Sequence, residues 1–252
     1  MPTAVNLKLH YFLFLLVAIA LVMNGVVAQA AKYVAFDVKH SSGNFGGDLD
    51  NSVSSLNFSA GVTTYTYDAD VTVPFVNLKT EGSDAESGIG DIVVRGGHQL
   101  LSNQNKDLLL YGSLAAKLAT ADENAGLGTG ENDYGIYLNL YKYWGQHGFS
   151  VYSGYRVNGD PAGIDLKDVF SYGAGWSMYH TKTSFYLSLE GQQTAISGLE
   201  DPLMFHTGMY HILSPLYMLR GEVLVGLSNS SADYGVSFGI VRVFKLRHYN
   251  KY

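Results

Sequence analysis

The strongest constraint on the fold is a repeated alternation of apolar and polar residues in the middle of the chain. It runs through the segments 108–118, 134–141 and 149–156, where apolar residues recur at every second position, interrupted only by Gly112 and Ser153. Because successive side chains of a strand point to opposite faces, this period of two predicts strands with one apolar face. A helical period of 3.6 residues fits these segments less well.

The connections between such runs alternate between short and long, which indicates a transmembrane β-barrel. In bacterial outer-membrane barrels, short periplasmic turns alternate with longer extracellular loops. A soluble β-sandwich is the alternative, although its strands are usually only about five to six residues long. The short connections are 63–66, 102–106, 145–148, 180–183 and 214–215, and the longer ones are 44–53, 79–90, 121–132, 158–167 and 194–201.

Twelve strand-like runs are counted, so the predicted fold class is all-β, a single antiparallel transmembrane β-barrel of about 12 strands. An even number leaves both ends of the barrel on the periplasmic side, and ten or fourteen strands would also be even. The runs are 33–41, 54–62, 67–77, 91–101, 107–120, 133–144, 148–157, 168–179, 183–192, 202–213, 217–227 and 233–244.

The N-terminal segment has the features of a cleaved signal peptide. Lys8 precedes an apolar run at 11–23, and Ala28-Gln29-Ala30 follows as a small-x-small cleavage site. We therefore predict a signal peptide at residues 1–30 and an outer-membrane β-barrel at residues 31–252. A membrane anchor is the alternative, but the run is shorter than the roughly 20 residues that a spanning helix needs.

Composition narrows the set of partners. The 29 glycines and 19 tyrosines suit the lumen and the interfaces of a barrel, and a net charge of −6 argues against nucleic acid. The absence of cysteine excludes a disulfide framework and a thiolate metal site. The expected partners are outer-membrane lipid, a small-molecule solute and the barrel-assembly machinery during insertion.

Charged residues within the strands share the parity opposite to the apolar face. A Lys or Arg on the lipid face costs about 2–4 kcal/mol at the bilayer midplane, so we place these charges in the lumen. Asp37 and Lys39 also have this lumenal parity. The alternative is that the charges only fill and rigidify the lumen, through pairs among Arg95, Arg220, Glu190 and Glu222. The predicted lumen and selectivity residues are Asp70, Asp91, Arg95, Lys117, Arg156, Glu190, Arg220 and Glu222.

Aromatic residues lie mostly near the ends of the runs, which predicts that their rings occupy the lipid–water boundary. The residues concerned are Tyr141, Tyr143, Trp144, Tyr155, Tyr172, Trp176, Tyr210, Tyr217 and Tyr234.

No catalytic residue, cofactor site or metal site is predicted. The G-x-G-x-G sequence at 126–130 precedes a strand, whereas a phosphate-binding loop needs a following helix. The acidic residues around it could hold Ca²⁺, but a solvated acidic loop is the simpler interpretation. His206 and His211 are interpreted as a lumen residue and an interface residue.

One enzymatic alternative remains. His40 and Ser42 resemble the H-x-S pair of outer-membrane acylhydrolases, on the lipid face at the outer end of the first strand. A nucleophile needs a base within hydrogen-bond reach and a group that orients the base. The nearest orienting candidate, Asn57, has lumenal parity, so we predict that the protein is not an enzyme.

Five further segments are distinctive: VTVPFVNL (71–78), SGIGDI (87–92), KLATADENAGLGTGENDYG (117–135), YRVNGDPAGIDLKD (155–168) and GLSNSSADYG (226–235). Together they resemble a proteobacterial family of outer-membrane β-barrels, the MetA-pathway of phenol degradation group. The resemblance implies a bacterial outer-membrane location and a passive channel or transporter for small solutes, including aromatic or hydrophobic ones. A non-conducting structural or adhesive barrel that acts through its extracellular loops is the alternative.

Overall fold

The computed structural model describes residues 30–161 and 163–244. Nearly all of the predicted signal peptide lies outside the described residues, as do the eight residues 245–252 that follow the last strand. Within the described part, no helix is long and apolar enough to cross a membrane. The strands are β1 Ala31–Gly43, β2 Asn51–Thr63, β3 Tyr67–Thr80, β4 Glu86–Ile89, β5 Ile92–Ser102, β6 Leu108–Leu118, β7 Asp133–Trp144, β8 His147–Val157, β9 Val169–Tyr179, β10 Thr183–Gln192, β11 Leu203–Ser214, β12 Tyr217–Gly226 and β13 Tyr234–Phe244.

The strands form one closed antiparallel barrel. Apart from β4 and β5, each strand pairs with the strand that follows it in the chain. β1 closes the ring by pairing with both β2 and β13. β4 and β5 both pair with β3 and together make one interrupted strand, so the barrel has twelve strand positions. The predicted all-β barrel of about 12 strands is therefore confirmed.

The interruption between β4 and β5 has a local cause in Pro74. The carbonyl of Pro74 accepts a hydrogen bond of 2.8 Å from the Gly90 amide, on the side of β3 that faces β4 and β5. The N–H and C=O of one residue in an antiparallel strand point to the same side, so proline lacks the donor that this pair requires. Pairing stops at Ile89 and resumes at Ile92, which leaves Asp91 free to bond elsewhere.

The register separates two faces along every strand. Outward residues are apolar and exposed, such as Phe238 at 58% and Leu114 at 62%. Inward residues are mostly polar, charged, glycine or tyrosine. An apolar exterior around a polar interior is the arrangement expected in lipid.

The boundary prediction is wrong for three tyrosines. Tyr141, Tyr143 and Tyr210 have inward parity, since Tyr141 pairs with Ser150 and Tyr210 with Arg220, opposite the outward rows. They lie near strand ends, as predicted, but on the lumenal face. Position along a strand therefore did not determine the face, whereas parity did.

Candidate functional site

Tyrosine rings line the lumen because glycine stands opposite them. Four inward tyrosines face glycine directly in the register, and a Cβ on any of these glycines would lie 2.8 Å or less from a ring atom. The rings therefore lie flat along the wall, where a larger neighbour would push them into the lumen. The pairs are Tyr33–Gly61, Tyr137–Gly154, Tyr152–Gly173 and Tyr186–Gly208.

The lumen contains two adjoining cavities that share Val93 and Arg95 in their walls. One has a volume of about 380 Å³ and is lined mainly by β1–β3 and β10–β13; we call it the Asp37 cavity. The other has a volume of about 530 Å³ and is lined mainly by β5–β8; we call it the Arg156 cavity.

An ion pair dominates the wall of the Asp37 cavity. Arg220 on β12 donates from Nε to Asp37 Oδ1 at 2.5 Å and from Nη2 to Oδ2, so both carboxylate oxygens are used. The Asp37 side chain is only 5% exposed, and that of Arg220 is 36% exposed. Gly239 faces Asp37 across β13, and a Cβ at Gly239 would overlap the carboxylate. The pair is thus built into the wall.

Glu222 and the neighbouring Glu190 also have partners. Tyr186 donates its hydroxyl to Glu222, and His206 Nδ1 lies 3.6 Å from the other carboxylate oxygen. Glu190, on the border with the Arg156 cavity, accepts from Ser188 at 3.0 Å and from Tyr152 at 3.4 Å. These carboxylates are held in fixed positions by side chains of the neighbouring strands.

The Arg156 cavity presents its cations differently. Arg95 is exposed within the lumen, and it is not in any ion pair among residues 30–161 and 163–244. It lies opposite Asp70 in the register. Arg156 donates from Nε to Asn158 Oδ1 at 2.8 Å, a bond that leaves its two terminal nitrogens for other partners.

Lys117 anchors the long loop between β6 and β7. Its Nζ lies 2.9 Å from Asp133, 3.6 Å from Asp91 and 3.0 Å from the Thr129 hydroxyl. Asp91 also accepts from the loop amides of residues 120 and 121, at 3.1 and 3.0 Å. Gly128 packs so closely against Asp91 that a Cβ there would lie 2.8 Å from the carboxylate. The glycine-rich segment is therefore a structural loop over the outer mouth.

The next loop joins this network through Gly159, whose backbone amide donates to Asp133 at 3.1 Å. Asn158 holds the same loop: its side chain accepts from Arg156 and donates to the carbonyl of Lys167 at 2.7 Å, and its backbone amide donates to Asp168 at 3.2 Å. Three of the five sequence segments that resemble the family, 87–92, 117–135 and 155–168, thus meet in one polar network.

The structure places seven of the eight predicted lumen residues in the walls of the two cavities, and it places Asp91 between β4 and β5, bonded to the β6–β7 loop. It pairs them in other ways than expected. Arg220 pairs with Asp37, which was not among the eight, and Lys117 pairs with Asp91 and Asp133. The suggested pairs among Arg95, Arg220, Glu190 and Glu222 are not found in the described residues. Parity indicated the face of Asp37, but no local signal indicated its partner 183 residues away.

The contacts of the histidines bear on the enzymatic and metal-binding alternatives. His40 Nδ1 lies 2.9 Å from Ser54 Oγ, and no hydrogen bond between His40 and Ser42 is found in the described chain. His211 bonds Thr183 at 2.8 Å on the outer face. Among the residues that the structure describes, no group of three or more acids or histidines could hold a metal ion.

Comparison with solved structures shows the same fold in outer-membrane proteins. An outer-membrane channel from Pseudomonas putida F1 superposes with a TM-score of 0.73 at 14% identity, covering 86% of this chain and 96% of that one. The KdgM porin has a TM-score of 0.54 at 10% identity, covering 84% and 99%. The translocator domain of the autotransporter NalP from Neisseria meningitidis has 0.54 at 11% identity, covering 96% and 98%. The chain thus has the closed β-barrel fold of these outer-membrane proteins.

The family follows from the sequence match. Residues 27–199 match the family described as "Putative MetA-pathway of phenol degradation", and the chain belongs to this family. This confirms the resemblance found in the loop segments. A comparison with the curated proteins finds no match.

Proposed function

We propose that the protein is a passive channel for small solutes across the outer membrane. The observation that carries the proposal is the pair of adjoining cavities, of about 380 and 530 Å³, inside a closed barrel with a polar inner wall. The flat tyrosines support it, because they add aromatic surface to the wall while the space beside them stays open. Aromatic ring faces favour small organic solutes, aromatic ones among them.

The family and the fold are consistent with this role. The structure from Pseudomonas putida F1 is itself described as a channel. Both charge signs line the cavities, so we expect selectivity to depend on where each charge lies and not on an excess of one sign. Seven of the eight lumenal residues predicted from the sequence, all but Asp91, line these cavities and are the groups that a passing solute would meet.

Conductance in planar lipid bilayers tests the proposal directly. Folded protein should produce discrete current steps, and Ala115→Trp should strongly reduce them, since Ala115 lines the Arg156 cavity. Ala116→Trp is the matched control, because Ala116 is the next residue in the sequence and has outward parity. A folded barrel that carries no current, with the wild type and both variants alike, would show instead a structural or adhesive role.

Export and insertion complete the proposal. Residues 1–30 would direct export as a signal peptide, and the barrel-assembly machinery would insert the rest. N-terminal sequencing of protein from outer membranes should then begin at Ala31. A retained Met1 would contradict cleavage without affecting the channel proposal.

A further inference from the structure

A single row of the hydrogen-bond register shapes the Arg156 cavity. Arg95 on β5 pairs with Ala115 on β6, Ala115 with Gly135 on β7, and Gly135 with Arg156 on β8. Two guanidinium groups therefore flank two of the smallest residues on one level of the wall. All four residues line the same cavity.

The row defines a niche of molecular size. Neighbouring strands lie about 4.8 Å apart, so three strand intervals place Arg95 and Arg156 about 14 Å apart along the curved wall. Between them lie only the methyl group of Ala115 and the ring of Tyr137, which packs flat against Gly135. The long arginine side chains can therefore reach towards a ligand that lies over Ala115 and the Tyr137 ring.

The inward residues of the neighbouring register rows bound the niche on both sides. Towards the outer mouth stand Lys117 and Asp133, and towards the periplasm Ser113 pairs with Tyr137. The charge of Lys117 is matched by Asp133 and Asp91. Tyr137 lies flat against Gly135 and Gly154, so its ring face lines the lower side of the niche.

The lining of this cavity carries three cations, Arg95, Lys117 and Arg156, and two carboxylates, Asp133 and Glu190. Lys117 pairs with Asp133, and the bond of Arg156 to Asn158 uses only its Nε. Arg95 is outside the ion pairs of the described residues, and Asp70 faces it in the register from β3. Glu190 accepts from Ser188 and Tyr152 through its two oxygens, which fixes its position. A guanidinium group binds a carboxylate through paired N–H donors in a plane, which lysine does not offer.

We propose that this niche is a binding site for small organic carboxylates, in which Arg95 and Arg156 bind the carboxylate and Tyr137 contacts the organic body. The site would define a class of solute for the proposed channel. Only this role in transport rests on the proposed function. Binding itself depends on the folded barrel and not on conduction, so the two proposals can fail separately.

Isothermal titration calorimetry on the folded, detergent-solubilised barrel tests the site with benzoate as the probe. Benzoate should bind more tightly than benzyl alcohol, which lacks the charge, and more tightly than acetate, which lacks the ring. Arg95→Gln and Arg156→Gln should each weaken benzoate binding about tenfold, because each removes hydrogen bonds to a charged group. Lys39→Gln removes a lumenal cation from the Asp37 cavity and should leave the affinity unchanged.

A second variant keeps the test valid if an arginine variant fails to fold. Ala115→Leu fills the niche and retains both arginines, so it should also abolish benzoate binding. Equal affinities for benzoate and benzyl alcohol, or equal losses in the Lys39 and arginine variants, would overturn the proposal. Benzoate binding without conductance would refute the channel, whereas conductance without benzoate binding would refute only the site.

Discussion

The two sides of the lumen use the same residue types for different purposes. Around the Asp37 cavity, Arg220 binds Asp37 through two bonds, and Tyr186 and His206 surround Glu222. Around the Arg156 cavity, Arg95 and Arg156 flank Ala115 and Gly135. The first side holds a buried ion pair within its wall, and the second presents two arginines outside the ion pairs of the described residues.

The contrast shows that inward parity alone does not assign a function to a charge. A carboxylate only 5% exposed, such as Asp37, requires a partner because isolated buried charge is costly. A guanidinium that faces water, such as that of Arg95, does not. We therefore expect substitutions on the first side to change stability and those on the second to change solute handling.

The largest expected effect is the loss of the buried pair. Asp37→Asn leaves Arg220 without its carboxylate and should lower the free energy of unfolding by about 3 kcal/mol, near the lower end for buried pairs because Arg220 is partly exposed. Urea unfolding followed by tryptophan fluorescence measures it. The double variant Asp37→Asn, Arg220→Gln should lose less than the sum of the single losses. Additive losses would mean that the two residues act independently.

The next effect concerns the fit of tyrosine to glycine. A Cβ at Gly208 would lie 2.6 Å from the ring of Tyr186, so Gly208→Ala should destabilise the barrel by about 1–3 kcal/mol and displace the ring. Gly221 on the adjacent strand is the control, because a Cβ there meets only a carbonyl at 3.8 Å. The same urea experiment compares the two, and equal midpoints would show that the wall tolerates the ring shift.

Ion selectivity should respond on the other side of the lumen. A unit charge about 7 Å from a passing ion contributes about 1 kcal/mol at an effective dielectric constant near 40, which changes a permeability ratio about fivefold. Arg95→Gln and Arg156→Gln should each lower the chloride-to-potassium permeability ratio by about this factor, measured as the reversal potential in a salt gradient. The double variant of Asp37 and Arg220 should leave the ratio nearly unchanged. The opposite pattern would reverse the assignment of the two sides.

The smallest effect belongs to an exposed pair between Asp107, in the turn that joins β5 to β6, and Lys142 on β7. Lys142 donates to Asp107 at 2.6 Å and Asn103 donates at 2.5 Å, and these bonds lower the pKa of Asp107. Their stabilisation is present above the unfolded pKa, near pH 4, and is lost as the pH falls through the lower folded pKa. Asp107→Asn should remove this small acid dependence from the urea midpoint between pH 6 and pH 3. If Asp107→Asn lowered the free energy of unfolding as much as Asp37→Asn, the contrast between exposed and buried pairs would be contradicted.

The sequence predicts the barrel because its signal is local and repeated. The apolar–polar alternation, the short turns and the long loops each follow from a few neighbouring residues. Together they specify the strand positions and place residues such as Arg95 and Glu222 on the inner face. The interruption at Pro74 was less evident, because it depends on which side of β3 the missing amide faces.

The pairing inside the lumen could not be predicted in this way. Asp37 and Arg220 meet only because the first and last strands close the ring, which places β1, β13 and β12 side by side. The row from Arg95 to Arg156 likewise needs the register of four strands. Such contacts depend on closure and stagger, which no single segment encodes.

The account depends most on an open route through the Arg156 cavity, and cysteine accessibility tests this directly. The chain has no cysteine, so Ala115→Cys and Ala116→Cys each introduce a single thiol. A negatively charged methanethiosulfonate reagent should react with the cysteine at position 115 from either side of a planar bilayer and reduce the current in discrete steps, whereas the variant at 116 should be unaffected. A folded Ala115→Cys barrel whose current the reagent leaves unchanged from both sides would contradict the account.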